Sequence, residues 1–360
     1  MPDFTIEPYR WPKAVGHEGW DDWVHFAEVR NAGLAVGGEH LQDCSPEFLL
    51  GDWNDAGEAR QLALVARRDG EIVAIANSGQ DPATEDLAFS YIRVLVHPNH
   101  RGLGIGAALL DALEALCLAE GRTTVVAEFE VADEPGPAIA AASGAGAVPA
   151  GVPGVRLALS RGYALEQVDR TSRIALPVSA ALLDEAVATA AAKAGADYRL
   201  VFWQADAPAQ WHEDLARMYT LMTQDAPTGG VAMPEMPWSV DRLVDELAHR
   251  VGQGMDWSVA GAVHEPSGRL VGLTEVAGLP ADSGGTGYAS QYWTYVDRAH
   301  RGHALGMLMK AANLLRFQVE HPGYHFVTTQ NAEENRHMLD INEALGFEPF
   351  LAQAVFQKRL

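Results

Sequence analysis

Two stretches of this chain, two hundred positions apart, carry the residue types that hold phosphate. They are Val96-His97-Pro98-Asn99-His100-Arg101-Gly102-Leu103-Gly104-Ile105-Gly106 and Val296-Asp297-Arg298-Ala299-His300-Arg301-Gly302-His303-Ala304-Leu305-Gly306. Each follows an apolar, strand-like run and precedes a long amphipathic one. A strand, a glycine turn rich in backbone N–H groups and a helix N-terminus together make an anion cradle. Val, His, Arg, Gly and the final Gly coincide in both copies, which points to a duplicated domain. Arg93, His97, His100 and Arg101 gather at the first turn, and Arg298, His300, Arg301, His303 and Lys310 at the second. The net charge is −22. A field of that sign excludes a general nucleic-acid binder and makes these basic clusters the places where an anionic ligand is tolerated.

The length of 360 residues suits two domains, and a hydrophobic share of 48% supplies a sizeable core. No run approaches the roughly 18 apolar residues of a membrane span, so no membrane role is expected. The start, Met1-Pro2-Asp3-Phe4-Thr5, lacks a basic n-region and apolar h-region, so a cytoplasmic location is expected. Cys44 and Cys117 are read as idle thiols, since neither lies in a CxxC and no spacing suggests zinc.

Periodicity and turn residues place the elements that must position the two turns. In the first half they give strand 4–8, a Trp-rich helical segment over 19–40, a hairpin of 61–67 with 71–77 about Asp69-Gly70, and strand 87–96. Helix 105–120 and strand 123–127 follow the glycine turn, then a Pro/Gly/Ala-rich loop with some helix over 132–154 and strands over 163–176. Pro177 marks a boundary, and an Ala-rich run looks like a linking helix. The second half repeats the order: strand 198–204, helices 211–224 and 240–251, hairpin 257–263 with 270–276, and strand 288–296. Helix 305–320, strand 325–329, helix 333–345 and a last pair of strands over 350–358 complete it. The pattern is mixed α/β rather than alternating βαβ.

Gly102-Leu103-Gly104-Ile105-Gly106-Ala107 also fits the dinucleotide pattern G-x-G-x-x-A, with Glu128 near where a ribose-binding acid would stand. That reading fails on position: five residues, His97 to Arg101, separate the strand from the first glycine, and the second copy breaks the G-x-G.

Arg101-Gly102-Leu103-Gly104-Ile105-Gly106 resembles the R/Q-x-x-G-x-G/A signature of the GNAT (GCN5-related) N-acyltransferases. The order of elements is similar to that family in both halves, in a two-domain arrangement shared with the mycothiol synthases. Arg301-Gly302-His303-Ala304-Leu305-Gly306 departs by placing Ala304 at the usual middle glycine. Asn331-Ala332-Glu333-Glu334-Asn335-Arg336-His337-Met338, with Asn342-Glu343-Ala344-Leu345-Gly346-Phe347, resembles the family's N-x-x-x-N-x-x-M and N-x-x-L-G-F pattern. The first half keeps only Gly162-Tyr163 of this region. The resemblance implies an α/β (mixed α+β) chain of two tandem GNAT-like domains, 1–176 and 197–360, joined by a linking helix, 177–196. It implies acetyl-CoA or another acyl-CoA as cofactor, its pyrophosphate held by the loops. Those contacts would be Val96, Arg101, Gly102, Leu103, Gly104, Ile105 and Gly106 in the first half. In the second they would be Val296, Arg301, Gly302, His303, Ala304, Leu305 and Gly306, with Asn331 and Asn335.

In that family an amine attacks the thioester directly, a base removes its proton and an acid protonates the thiolate. The acid is often a Tyr at the position held here by Asn342, or by Ala158 in the first half; neither can serve. Tyr288, Tyr292, Tyr295 and Tyr324 are nearby in sequence, though strand tyrosines usually pack. Glu275 is the expected base, in the C-terminal half, where chemistry is expected. The implied activity is acetyl transfer to a small-molecule amine by a monomeric pseudo-dimer or a homodimer. A catalytically degenerate acyl-CoA-binding regulator or scaffold is the alternative, favoured by the missing acid.

Overall fold

The computed structural model describes residues 3–56, 61–80 and 86–360. They form two compact units. Unit 1 comprises Met1–Asp169, Thr228–Pro234 and Leu351–Leu360; unit 2 comprises Arg170–Pro227 and Glu235–Phe350.

Unit 1 contains β1 (Thr5–Pro8), α1 (Trp20–Leu34), α2 (Pro46–Ala56), β2 (Gln61–Arg68), β3 (Glu71–Gly79), β4 (Phe89–Val96), α3 (Ile105–Ala119) and β5 (Thr124–Val131). A short hairpin, β6 (Ala138–Ala140) and β7 (Ala147–Pro149), then α4 (Pro153–Ser160) and the start of β8 (Ala164–Ala175) follow. The sheet runs β1-β2-β3-β4-β5, antiparallel throughout except for the parallel β4–β5 pair. The β2–β3 turn works because Asp69 (φ 52°) and Gly70 (φ 89°) both adopt the left-handed conformation that matches strand twist. On one face α3 buries Leu109, Leu113 and Cys117 against Ile92, Val125 and Phe356. Each fully buried leucine contributes about 1.5–3 kcal/mol. On the other face Tyr9, Trp23, Phe26 and Trp53 form an aromatic stack, with Trp23 and Phe26 centroids 5.0 Å apart.

Sequence periodicity divides the chain into consecutive stretches, but the compact units are not consecutive. The chain's last strand, β14 (Glu348–Arg359), extends the free edge of β5 in an antiparallel ladder from Ala352↔Val131 to Arg359↔Thr124. Phe356 on it stacks on Phe129 at 5.6 Å. The segment Thr228–Pro234 also belongs to unit 1, where Val231 is buried with Phe89, Val126 and Val355.

Unit 2 contains the end of β8, α5 (Ala180–Ala194), β9 (Tyr198–Trp203), α6 (His212–Asp225), α7 (Val240–Gly252), β10 (Asp256–His264) and β11 (Arg269–Gly278). They are followed by β12 (Tyr288–Val296), α8 (Leu305–Glu320), β13 (Phe326–Ala332) and α9 (Arg336–Leu345). Its sheet runs β9-β10-β11-β12-β13-β8, and β12–β13 is again parallel. The Ala-rich α5 is part of this unit, packing Ala190 and Ala194 against Leu308 and Met309 of α8. Small side chains let the two helices approach closely. Both cysteines are buried free thiols, and no helix among the described residues is long and apolar enough to cross a membrane.

Candidate functional site

In unit 1, β4 ends at Val96 and the chain makes a short 3-10 turn over Pro98–His100. Gly102 and Gly104 then both adopt φ 79°, and Gly104 caps α3. A Cβ at either glycine would meet no atom within 4 Å, so what they require is the backbone conformation, and the space before the loop is open. The helical ladder begins with Ala108 N–H donating to Gly104 O. The N–H groups of Ile105, Gly106 and Ala107 therefore precede it, without helical acceptors, at the positive end of α3. Gly106 seats the helix on the strand end: a Cβ there would lie 3.2 Å from Val96 Cγ2. Ile105 is buried and Leu103 exposed.

Arg101 does not reach over the loop. Its Nε donates to Val96 O (3.2 Å) and its Nη2 to Gly33 O at the end of α1 (3.3 Å). It staples the turn to the strand that precedes it.

Beside this loop the sheet forks. The β4–β5 ladder runs from Phe89↔Thr124 to Ile92↔Ala127 and stops, while β4 stays paired to β3 through Val96 and β5 to β14 through Val131. Arg93 and Glu128 are the first residues past the apex, one on each tine. Strand alternation places Arg93, Glu128 and Glu130 opposite the α3 face, on the side of α1 and α2. Burial lowers the pKa of the Arg93 guanidinium, and Arg30 on α1 lowers it further, against the opposing pull of Glu128, Asp52 and Glu130. Burial also raises the carboxyl pKa of Glu128 and of Glu130, with Arg93 opposing.

Unit 2 repeats the loop with different electrostatics. Arg301 makes the same staple, Nε to Val296 O at 3.1 Å. Its Nη2, however, donates to Asp225 at the end of α6 (2.6 Å), as do Arg298 (2.5 Å) and the Tyr295 hydroxyl (3.1 Å). Burial would raise the Asp225 pKa, but these three donors outweigh it and hold the carboxyl below its usual range. The loop's arginines are thus already neutralised. A cavity of about 350 Å³ lies here, lined by Arg217, Asp225, Tyr295, Asp297, Arg298 and His300. Ala304 takes the left-handed position of Gly104 at φ 57°, at a cost of about 1–2 kcal/mol for a residue with a Cβ. Gly302 is also left-handed, Leu305 is buried and Gly306 stands where Gly106 stands. His303 is exposed 5.2 Å from the Tyr198 ring, whose hydroxyl bonds His300 (2.9 Å).

The fork of unit 2 opens after Gln291↔Thr329. Asn331 and Asn335 come to the β13–α9 turn, but both side chains are engaged within it. Asn331 accepts from the Asn342 amide (2.6 Å), and Asn335 caps α9 by accepting from Met338 N–H (3.4 Å). Asn342 and Ala158 are both buried. Of the tyrosines, Tyr288 stacks on Phe326, Tyr292 on Trp257, and Tyr324 donates to Asp256.

Glu275 is not at a cleft wall. It lies on β11, 1% exposed, at a bulge in the β11–β12 ladder. Its Oε1 accepts from Arg250 (2.8 Å) and from the Tyr219 hydroxyl (2.5 Å); Oε2 has no partner among the described residues. Arg250 also bonds Glu246 (2.9 Å) and lies 4.3 Å from the Trp257 ring. Burial opposes the charge of Arg250, yet Glu275 and Glu246 keep its pKa above the ordinary value. Burial, and then Glu275, push the Tyr219 pKa well up. The carboxylate expected as a base is one half of a sealed ion pair.

Sequence reasoning missed the fork and its carboxylates as a pair, and it missed Asp225. The available signal was Glu128 and Glu130 two apart in a strand whose other residues, Thr124 aside, are apolar.

The fold and these paired loops are similar to those of the GNAT proteins. Residues 23–143 match the family model "Acetyltransferase (GNAT) family". A tandem GNAT protein from the clavulanic acid biosynthesis pathway shares 26% identity at a TM-score of 0.72, over 99% of this chain and 98% of that one. A GCN5-related N-acetyltransferase from Sphaerobacter thermophilus (16% identity, TM-score 0.60, 99% and 96% coverage) shares the fold. So does a putative acetyltransferase from Pyrococcus horikoshii (11%, TM-score 0.53, 100% and 90%). No curated protein sequence matches. The first half thus carries a GNAT family match, and the whole chain has the two-domain fold of the tandem GNAT protein to which it is similar.

Proposed function

We propose that the chain transfers an acetyl group from acetyl-CoA to the amine of a small molecule, in the cytoplasm, and that unit 1 carries the transfer. The observation that supports this most is the fork between β4 and β5, which opens beside an uncommitted helix N-terminus and carries a carboxylate at its apex. The residues fit the cofactor: left-handed Gly102 and Gly104 leave open space before the loop. The N–H groups of Ile105, Gly106 and Ala107 would take the pyrophosphate. Arg101 holds the loop in shape, and Val96 and Leu103 flank it. When bound, acetyl-CoA supplies the activated acyl carbonyl.

Glu128 is the base in this reading. Burial raises its pKa, which makes it a better proton acceptor for the amine. The acceptor nitrogen bonds the acyl carbon, its proton passes to Glu128, the carbon–sulfur bond breaks and the thiolate is protonated by solvent. A general base contributes about 10²–10⁴-fold. Glu128→Gln is therefore expected to lower kcat by about 10²-fold or more, with acetyl-CoA affinity kept. Unchanged turnover would remove Glu128 from the mechanism.

For unit 2 a second reading is favoured by Asp225, which neutralises the loop's arginines, and by the sealed Glu275–Arg250 pair. It is a silent, degenerate copy of the site. Val296, Arg301 to Gly306, Asn331 and Asn335 then serve the fold.

A further inference from the structure

Arg93 is a half-buried guanidinium that makes no hydrogen bond and no ion pair among the described residues. Arg30, near enough to act on its charge, spends one nitrogen on Asn31 Oδ1 and Gln42 O (2.8 Å each) and likewise has no ion pair among the described residues. Arg93 therefore stands just past the apex of the β4–β5 fork with a planar array of donors that no carboxylate contacts among the described residues. The other charges acting on Arg93 are Glu128, Glu130 and Asp52. They balance it at a distance without filling its planar array of donors.

We propose that the acceptor is an amine that also carries a carboxylate, an amino-acid-like molecule, bound at the apex of the β4–β5 fork. The carboxylate lies on Arg93 with support from Arg30, and the amino group faces Glu128. The proposal rests on the acetyl-transfer reading of unit 1 and narrows its substrate class. A guanidinium matches a carboxylate through two parallel N–H···O bonds. A dianionic group is disfavoured there, since Glu128, Asp52 and Glu130 also act on Arg93. A neutral amide leaves both arginines unmatched. The fork also orients the reaction: with the carboxylate on the β4 tine, the amine faces the β5 tine, where the base stands.

The test uses the full chain with the standard α-amino acids, β-alanine and γ-aminobutyrate, each paired with its carboxamide. Acetyl transfer is read by thiol release and binding by ligand-induced thermal stabilisation. The wild type is expected to favour the acid over the amide by about ten- to a hundredfold for at least one pair. Arg93→Gln should erase that preference by raising KM, with acetyl-CoA affinity unchanged, and Arg93→Lys should restore part of it. The proposal is overturned if amides bind or react as well as acids, if Arg93→Gln weakens both alike, or if no carboxylate in the series binds. Should carboxylates bind through Arg93 while acetyl-CoA does not bind at all, the acetyl-transfer reading falls and the carboxylate site stands.

Discussion

Replacing Glu275 with Gln separates a structural carboxylate from a catalytic one. Glutamine keeps an oxygen to accept from the Tyr219 hydroxyl, so the lost element is the charge facing Arg250, which is 5% exposed. Removing one partner of a buried ion pair costs about 3–5 kcal/mol, because the survivor is left uncompensated in a poorly solvated place. Glu246 still bonds Arg250 but is about one-third exposed, so the expected cost sits near the lower end, about 3 kcal/mol. At a urea dependence of about 1–3 kcal/mol per molar, that moves the midpoint of unit 2 down by roughly 1–3 M. The double replacement Arg250→Met with Glu275→Leu removes both charges and is expected to recover most of the loss. Tryptophan fluorescence is the assay, since Trp257 lies against Arg250. If Glu275→Gln leaves the midpoint unchanged and abolishes turnover with acetyl-CoA still bound, the reasoning is refuted and Glu275 is the base.

Lys310 on α8 is 1% exposed beside the Phe347 ring, and burial lowers its pKa from 10.5 to about 7. The folded chain therefore binds fewer protons than the unfolded one between those values, and stability rises with pH across that window. Lys310→Met should stabilise by at most about 5 kcal/mol at and below pH 7, a gain that fades toward pH 10.5; urea midpoints against pH check it. Ala304→Gly should stabilise by about 0.5–1 kcal/mol, the left-handed strain relieved less the added chain entropy, and a loss in the same measurement would contradict the φ of that turn. Asp225→Asn keeps an acceptor for Arg298 and Arg301 but releases their charge, so an anion such as pyrophosphate should bind the second loop more tightly in titration calorimetry.

Elements fixed by local punctuation were legible in the sequence. Tyr288–Val296 and Leu305–Glu320 have the bounds their periodicity gives, because left-handed glycines or the Ala304 turn stop one and start the other. The long strands β8 and β14 read as more than one strand each, since nothing local shows that a twelve-residue run is a single strand. The β6–β7 hairpin hides in a Pro/Gly/Ala composition that suits a loop. That the chain's last strand completes unit 1 depends on which edge it meets, a property of distant pairing. The glycine turn after β4 was legible because Gly102 and Gly104 take positive φ, a conformation glycine favours. The fork was not, because it exists only where a ladder stops. Glu275 looked available in one dimension, and the arginine that seals it comes from α7, 25 positions earlier.

The most direct measurement of the central claim is the titration of acetyl-CoA into the full chain and into two loop variants. Gly104→Val forces a β-branched residue into φ 79°, and Ala304→Val does the same at φ 57° in the second loop. Binding in unit 1 predicts that Gly104→Val abolishes the heat of acetyl-CoA binding while Ala304→Val leaves affinity and stoichiometry as they were. Loss of binding in Ala304→Val with Gly104→Val unaffected would contradict the account and move the cofactor to unit 2.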